Sequence, residues 1–166
     1  ENVTMETPYL TLDLNGHTLN GGQEKGKPAL TVTARVTVKD SSADMSGTIK
    51  RDDTAEDSGV SSHYVIDVQG AGWLTFESGN VTNNSGTKEG KGASLVRVGD
   101  DSVAKHPGLN IKGGNFKQDN FIAIKVDRGN LFLNGGTITS ASSYAIENWW
   151  NATIKGGTVN GTVSTW

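Results

Sequence analysis

The sequence predicts an all-β chain wound as a right-handed parallel β-helix of about six coils, with three short strands in each coil. Three observations carry this reading. First, one phrase recurs, as "LDLNGHTLNG" (12–21), "LNIKGGNFKQ" (109–118), "LFLNGGTITS" (131–140) and "ATIKGGTVNG" (152–161). Each copy has two apolar residues one position apart, then a polar residue, a glycine corner, Thr or Asn and another apolar residue. Second, the copies keep a period. Leu109 and Leu131 are 22 residues apart, and Leu131 and Ala152 are 21 apart. Third, apolar and polar residues alternate within each segment, and no stretch sustains a 3.6-residue apolar pattern. Hairpins would also alternate, but successive segments would mirror one another. Coils repeat in the same order.

Aligned on the glycine corners, the middle strand of each coil carries the pairs Leu12/Leu14, Val36/Val38, Leu74/Phe76, Leu109/Ile111, Leu131/Leu133 and Ala152/Ile154. A first strand precedes them at Leu30/Val32, Ile66/Val68, Val96/Val98, Ile124/Val126 and Ile146/Asn148. A third follows the glycines at Leu19, Ile49, Val81, Phe116, Ile138 and Val159. The glycine pairs turn the chain between the second and third strands, where a positive φ or a close backbone approach is needed. Thr18, Thr48, Asn80, Asn115, Thr137 and Thr158 then stack as a polar ladder on the outside. Polar insertions leave after the third strand at 20–28, 50–63 and 83–92, and a fourth, 99–108, leaves a different corner. Such loops on a rigid scaffold suit recognition.

Stacked coils also place equivalent outward residues in columns. Thr31, Asp67, Arg97, Lys125 and Glu147 form one, a charge ladder in which each exposed pair is worth about 0–1 kcal/mol. Ala29, Val65, Leu95, Ala123 and Ala145 form another. It is apolar although alternation points it outward, so the insertions are expected to cover it. A third runs Thr33, Gln69, Gly99, Asp127, Trp149, and Trp150 follows at once.

Composition removes several classes of function. The net charge is −3 with both signs scattered, which leaves no basic footprint for nucleic acid. No apolar run reaches a membrane-spanning length, so membrane insertion is not expected. With no cysteine, disulfides, thiolate metal sites and cysteine nucleophiles are excluded. His17, His63 and His106 lack the spacing of a zinc site, and no P-loop or nucleophile elbow occurs. Neither a cofactor nor a metal is expected.

The segment "ENWWN" (147–151) stands apart. Two consecutive strand residues cannot both face a core, so a tryptophan is placed outside or at a corner. Indole faces stack on the C–H faces of sugars. The candidate ligand site is therefore Trp149 and Trp150 with Trp73, and Asn148, Asn151 and Asp127 as hydrogen-bonding groups. The corner holding Asp100, Asp101, His106, Lys125, Asp127 and Arg128 is the best place for acid–base chemistry. Its carboxylates lie in a Gly-flanked polar loop without the apolar setting that raises a carboxyl pKa, so no catalytic residue is assigned.

The stretch "LTLDLNGHTLNG" (10–21), with coils ending "IKGGT" or "LNGGT", resembles the β-helix repeats of large secreted or wall-anchored surface proteins of Gram-positive bacteria. The resemblance implies an extracellular, secreted or cell-wall-anchored module, non-catalytic, serving adhesion or carbohydrate recognition. Its expected partners are a glycan or other host-surface ligand and neighbouring domains of the same chain. Residues 1–166 read as one β-helix domain cut from a longer protein. Polysaccharide lyases and glycoside hydrolases share this architecture, as do purely structural stalks, so fold alone does not select among them.

Overall fold

The computed structural model of the chain describes residues 2–24, 26–52, 64–83, 94–100, 105–119 and 121–166. Most of the insertions 50–63 and 83–92 and part of 99–108, with His63 and Asp101, lie outside the described residues. The chain is a parallel β-helix. The first-strand column contains β1 (Val3–Met5), β4 (Leu30–Val32), β7 (Ile66–Val68), β10 (Val96–Val98) and β13 (Ile124–Val126), then the later part of β15 (Thr137–Asn148) and the end of β17 (Thr158–Thr165). The second column is β2 (Thr11–Asp13), β5 (Arg35–Lys39), β8 (Trp73–Phe76), β11 (Gly108–Ile111), β14 (Asn130–Leu133) and β16 (Asn151–Ile154). The third is β3 (Thr18–Asn20), β6 (Thr48–Arg51), β9 (Asn80–Asn83) and β12 (Asn115–Gln118), followed by the starts of β15 and β17. All these pairings are parallel. Where the repeat is shortest, no insertion separates the third strand from the next first strand, so β15 runs through both and joins the two columns into one sheet.

The inward columns make the core. Leu30, Ile66, Val96, Ile124 and Ile146 stack behind the first strands, and Phe76 packs on Phe116 with ring centres 4.7 Å apart. The column Ala29, Val65, Leu95, Ala123 and Ala145 differs from the expectation of an outward face. All five are fully buried within the core cluster. They sit where the chain bends from the third strand into the first, and at such a bend two successive residues turn inward. A second difference concerns the first coil. Leu12 pairs with Val38, not Val36, so this coil is displaced by two residues, which leaves the faces of its strand unchanged. Leu14 then lies past the strand and is buried, packed close to the Gly47 corner. Two positions beyond the inward Ile49, Val81, Phe116 and Ile138 runs an inward polar column, Arg51, Asn83, Gln118 and Ser140, in register at the ends of the third strands and all buried. Arg51 donates to the carbonyls of Gly22 (3.3 Å) and Glu24 (2.5 Å), tying down the 20–28 insertion, while its Nη1 has no partner among the described residues.

The recurrent glycines have a structural cause. A Cβ on Gly135 would collide with the carbonyl oxygen of Lys112 on the preceding coil, and one on Gly136 would meet that of Gly114 at 2.8 Å. Gly136 also holds φ at +77°. The corner therefore stacks backbone directly on backbone. Gly136→Ala is expected to lower stability by about 1–3 kcal/mol, read as a lower urea midpoint; an unchanged midpoint would contradict this account.

Candidate functional site

The site is built at the corner between β15 and β16. Asn148 occupies the inward column behind Val126 and is 6% exposed. Its Oδ1 accepts from the Trp150 N–H (3.3 Å), and its Nδ2 donates to the Trp150 carbonyl (3.5 Å). This side-chain turn is what an asparagine supplies at a corner. It leaves both indoles outside, Trp149 47% and Trp150 46% exposed. The Trp149 N–H donates to the Val126 carbonyl (2.8 Å), and the Trp166 N–H donates to that of Asn148 (3.1 Å). Trp149 and Trp166 thus occupy equivalent positions on successive coils. Their rings stack at 5.0 Å, 11° from parallel. Trp150 stacks on His106 at 4.9 Å and 18°, and the His106 carbonyl accepts from Asn130 Nδ2 (3.4 Å). Each tryptophan is braced on one side by another ring.

Beside them lies an open cleft of about 470 Å³ lined by Lys125, Asp127, Arg128, Glu147, Trp149 and Trp150. Lys125 reaches Asp127 at 3.1 Å. Burial pushes the lysine toward its neutral form, but Asp127, with Tyr64 and Glu147, outweighs it and holds the ammonium above the ordinary lysine range. The next rung is Arg97, in register with both Lys125 and Asp67. Its guanidinium forks onto Asp67, Nε to Oδ1 at 3.0 Å and Nη2 to Oδ2 at 2.7 Å, and lies over the Tyr64 ring at 4.6 Å. Burial disfavours the charged guanidinium; Asp67 more than offsets this and raises the Arg97 pKa further. Gln69 Nε2 also donates to Asp67. A second open cleft, about 430 Å³, is lined by Thr31, Tyr64, Asp67, Gln69 and Arg97 with Gly26 and Pro28.

The sequence-predicted residues separate into three groups. Trp149, Trp150 and Asp127 meet at the first cleft. Asn151 is exposed at the start of β16 and donates to Asn130 Oδ1 (3.3 Å) on the rung before. Asn148 faces inward and shapes the turn, so it is not a ligand-facing donor. Trp73 is apart. It heads β8, and the register runs from it through Gly108 and Asn130 to Asn151, three rungs or roughly 14 Å. Its ring packs on Phe132 (5.7 Å) under Arg35 and over Gly108, where a Cβ would meet it at 2.5 Å. It belongs to the outer face of the other sheet.

Sequence reasoning missed Trp166 as part of the site, and it set His106 at the corner with Lys125, Asp127 and Arg128 without its stack on Trp150. The column count contained the signal for Trp166, which stands three residues after Val163, the register partner of Ile146, as Trp149 stands three after Ile146. Nothing in the sequence marked the His106 stack, because residue 106 reaches Trp150 across coils. Among the described residues no group of three or more His, Cys, Asp or Glu is arranged to hold a metal ion, and no helix is long and apolar enough to cross a membrane. No protein-family model matches the chain, and no curated protein and no solved structure matches it.

Proposed function

We propose that this β-helix is a non-catalytic carbohydrate-recognition module of a bacterial surface protein, secreted or wall-anchored, acting in adhesion. One observation carries the reading: two half-exposed, ring-braced indoles set side by side at a cleft rich in hydrogen-bonding groups. Pre-organised aromatic faces lose little conformational entropy on binding, and a sugar presents one apolar face and many hydroxyls to such a site. The Gram-positive affiliation rests on the resemblance of the repeat phrases.

Glycoside hydrolysis is the second reading, favoured by the presence of two carboxylates, Asp127 and Glu147, in one cleft. Its chemistry is poorly served. A lysine held protonated is no general base, and Asp127 is engaged by that lysine rather than placed in an apolar setting that suits a general acid.

A glycan array probed with the parent protein, Trp149→Ala/Trp150→Ala and Asp127→Asn separates the readings. The double tryptophan variant is expected to lose more than tenfold in affinity for any glycan the parent retains, with its thermal midpoint little changed. Undiminished binding by that variant would overturn the site. Turnover of a bound glycan, lost in Asp127→Asn, would move the assignment to the hydrolase.

A further inference from the structure

The two clefts lie on one face of one strand column, at adjacent rungs. The first is lined by Lys125, the second by Arg97, and these two residues are directly paired on adjacent rungs. From Thr31 to Glu147 the column rises four rungs, on the order of 19 Å. Resting on the carbohydrate reading above, we propose that the clefts form one binding strip for a linear, uncharged oligosaccharide lying along the rod, with its end on the tryptophan platform.

The charge arrangement selects the ligand. Among the described residues lining the two clefts, the basic groups are Arg97, Lys125 and Arg128 and the acidic ones are Asp67, Asp127 and Glu147, three of each sign. Arg97 is forked onto Asp67, and Lys125 is paired with Asp127. A uronic or sialic acid would meet the carboxylates of Asp127 and Glu147, and an amino sugar with a free amine would meet the two held cations. Like charges brought together in a binding site cost affinity. Neutral hydroxyls can donate to the carboxylate lone pairs left over and accept from the remaining N–H groups without breaking either pair. Length follows from the rung count. At roughly one sugar per rung step the strip accommodates about four units, stacked at one end and hydrogen-bonded along the rest.

The test is calorimetric titration of the parent protein with cello-, xylo- and manno-oligosaccharides from dimer to hexamer, beside oligogalacturonates of the same lengths. Affinity for one neutral series is expected to rise roughly tenfold or more from dimer to tetramer and then level off. Thr31→Arg, an outward substitution at the far cleft, is expected to abolish that gain while leaving dimer binding unchanged; Trp149→Ala/Trp150→Ala is expected to abolish both. Length-independent binding that still requires the tryptophans would overturn the strip and leave the recognition site standing. Tighter binding of the oligogalacturonates would overturn its neutrality. Failure of every series to bind would overturn both the strip and the carbohydrate reading beneath it.

Discussion

Asp67→Ala is expected to cost the fold about 3 kcal/mol, the lower part of the range for breaking a buried ion pair. Asp67 is 2% exposed. It accepts both arms of the Arg97 fork and a hydrogen bond from Gln69. Removing it strands a guanidinium already pressed against Tyr64, along with a side-chain amide. About a fifth of the arginine side chain reaches solvent, and that water tempers the loss. The pair itself is a different quantity from its breakage. Asp67→Leu/Arg97→Leu removes both charges together and is expected to be less destabilised than Asp67→Ala, because no orphan remains. Urea denaturation of the two variants measures the contrast. A loss under about 1 kcal/mol in Asp67→Ala would mean that the rung behaves as an exposed pair.

That value differs from the one read off the sequence. Alternation placed Asp67 outward, and the register confirms the column Thr31, Asp67, Arg97, Lys125, Glu147 residue by residue. Orientation relative to the sheet is a local property, set by the two-residue period. Burial is not. It depends on what lies over the face, here Tyr64 and Arg97, and neither the ring stack nor the fork has a sequence period. For this reason the strands, glycine corners and charge column were legible, and the weight of each rung was not.

The same division explains the site. A pair of adjacent tryptophans violates alternation, and that violation located the corner. The role of Asn148 followed from a different geometry. Its position is an inward one occupied by Met5 in the first coil and by valines in the next four, Val32, Val68, Val98 and Val126. An asparagine there turns on its own following backbone instead of filling the core. Trp73 resembles the pair in sequence because outward tryptophans look alike there. The structure places it on another sheet, since the corner separates residues that a linear reading sets close in column number. The two-residue displacement of the first coil has a similar origin. A shift by a full strand period keeps every apolar residue apolar-facing, so hydrophobic pattern cannot detect it.

Acid should weaken the first coils before the rest, and Asp40 is the residue on which this turns. It is 3% exposed at the end of β5. Its carboxylate accepts from the N–H of Gly16 (2.9 Å), Ser42 (3.1 Å) and Gly47 (2.6 Å) and from the Ser42 hydroxyl (2.8 Å). Its own N–H donates to Ser78 Oγ (2.8 Å), and its carbonyl accepts from the same hydroxyl (3.0 Å). One side chain and its peptide group therefore join the corners of three successive coils. Burial raises the Asp40 pKa, but the hydrogen bonds from Gly16, Ser42 and Gly47 outweigh it and hold the carboxyl below its ordinary value of 3.8. Asp13 is also lowered, the Ser41, Asn15 and Lys39 contacts prevailing over burial, and Asp44 is lowered chiefly by Ser46. A folded-state pKa below the unfolded value means stability that is present above the unfolded pKa and lost as pH falls through the folded one. The thermal midpoint is thus expected to hold level from neutral pH to about pH 5 and to fall below about pH 4. Asp40→Asn should lower the midpoint at neutral pH, since an amide offers one acceptor oxygen and sets its own N–H groups against three backbone donors. It should also flatten the acid decline, because the group that titrates is gone. Hydrogen exchange at acid pH locates the effect, with the Gly16 and Gly47 amides expected to lose protection ahead of those in β13 and β14. Uniform loss along the rod, or an acid decline as steep in Asp40→Asn as in the parent, would place the acid-sensitive contacts elsewhere.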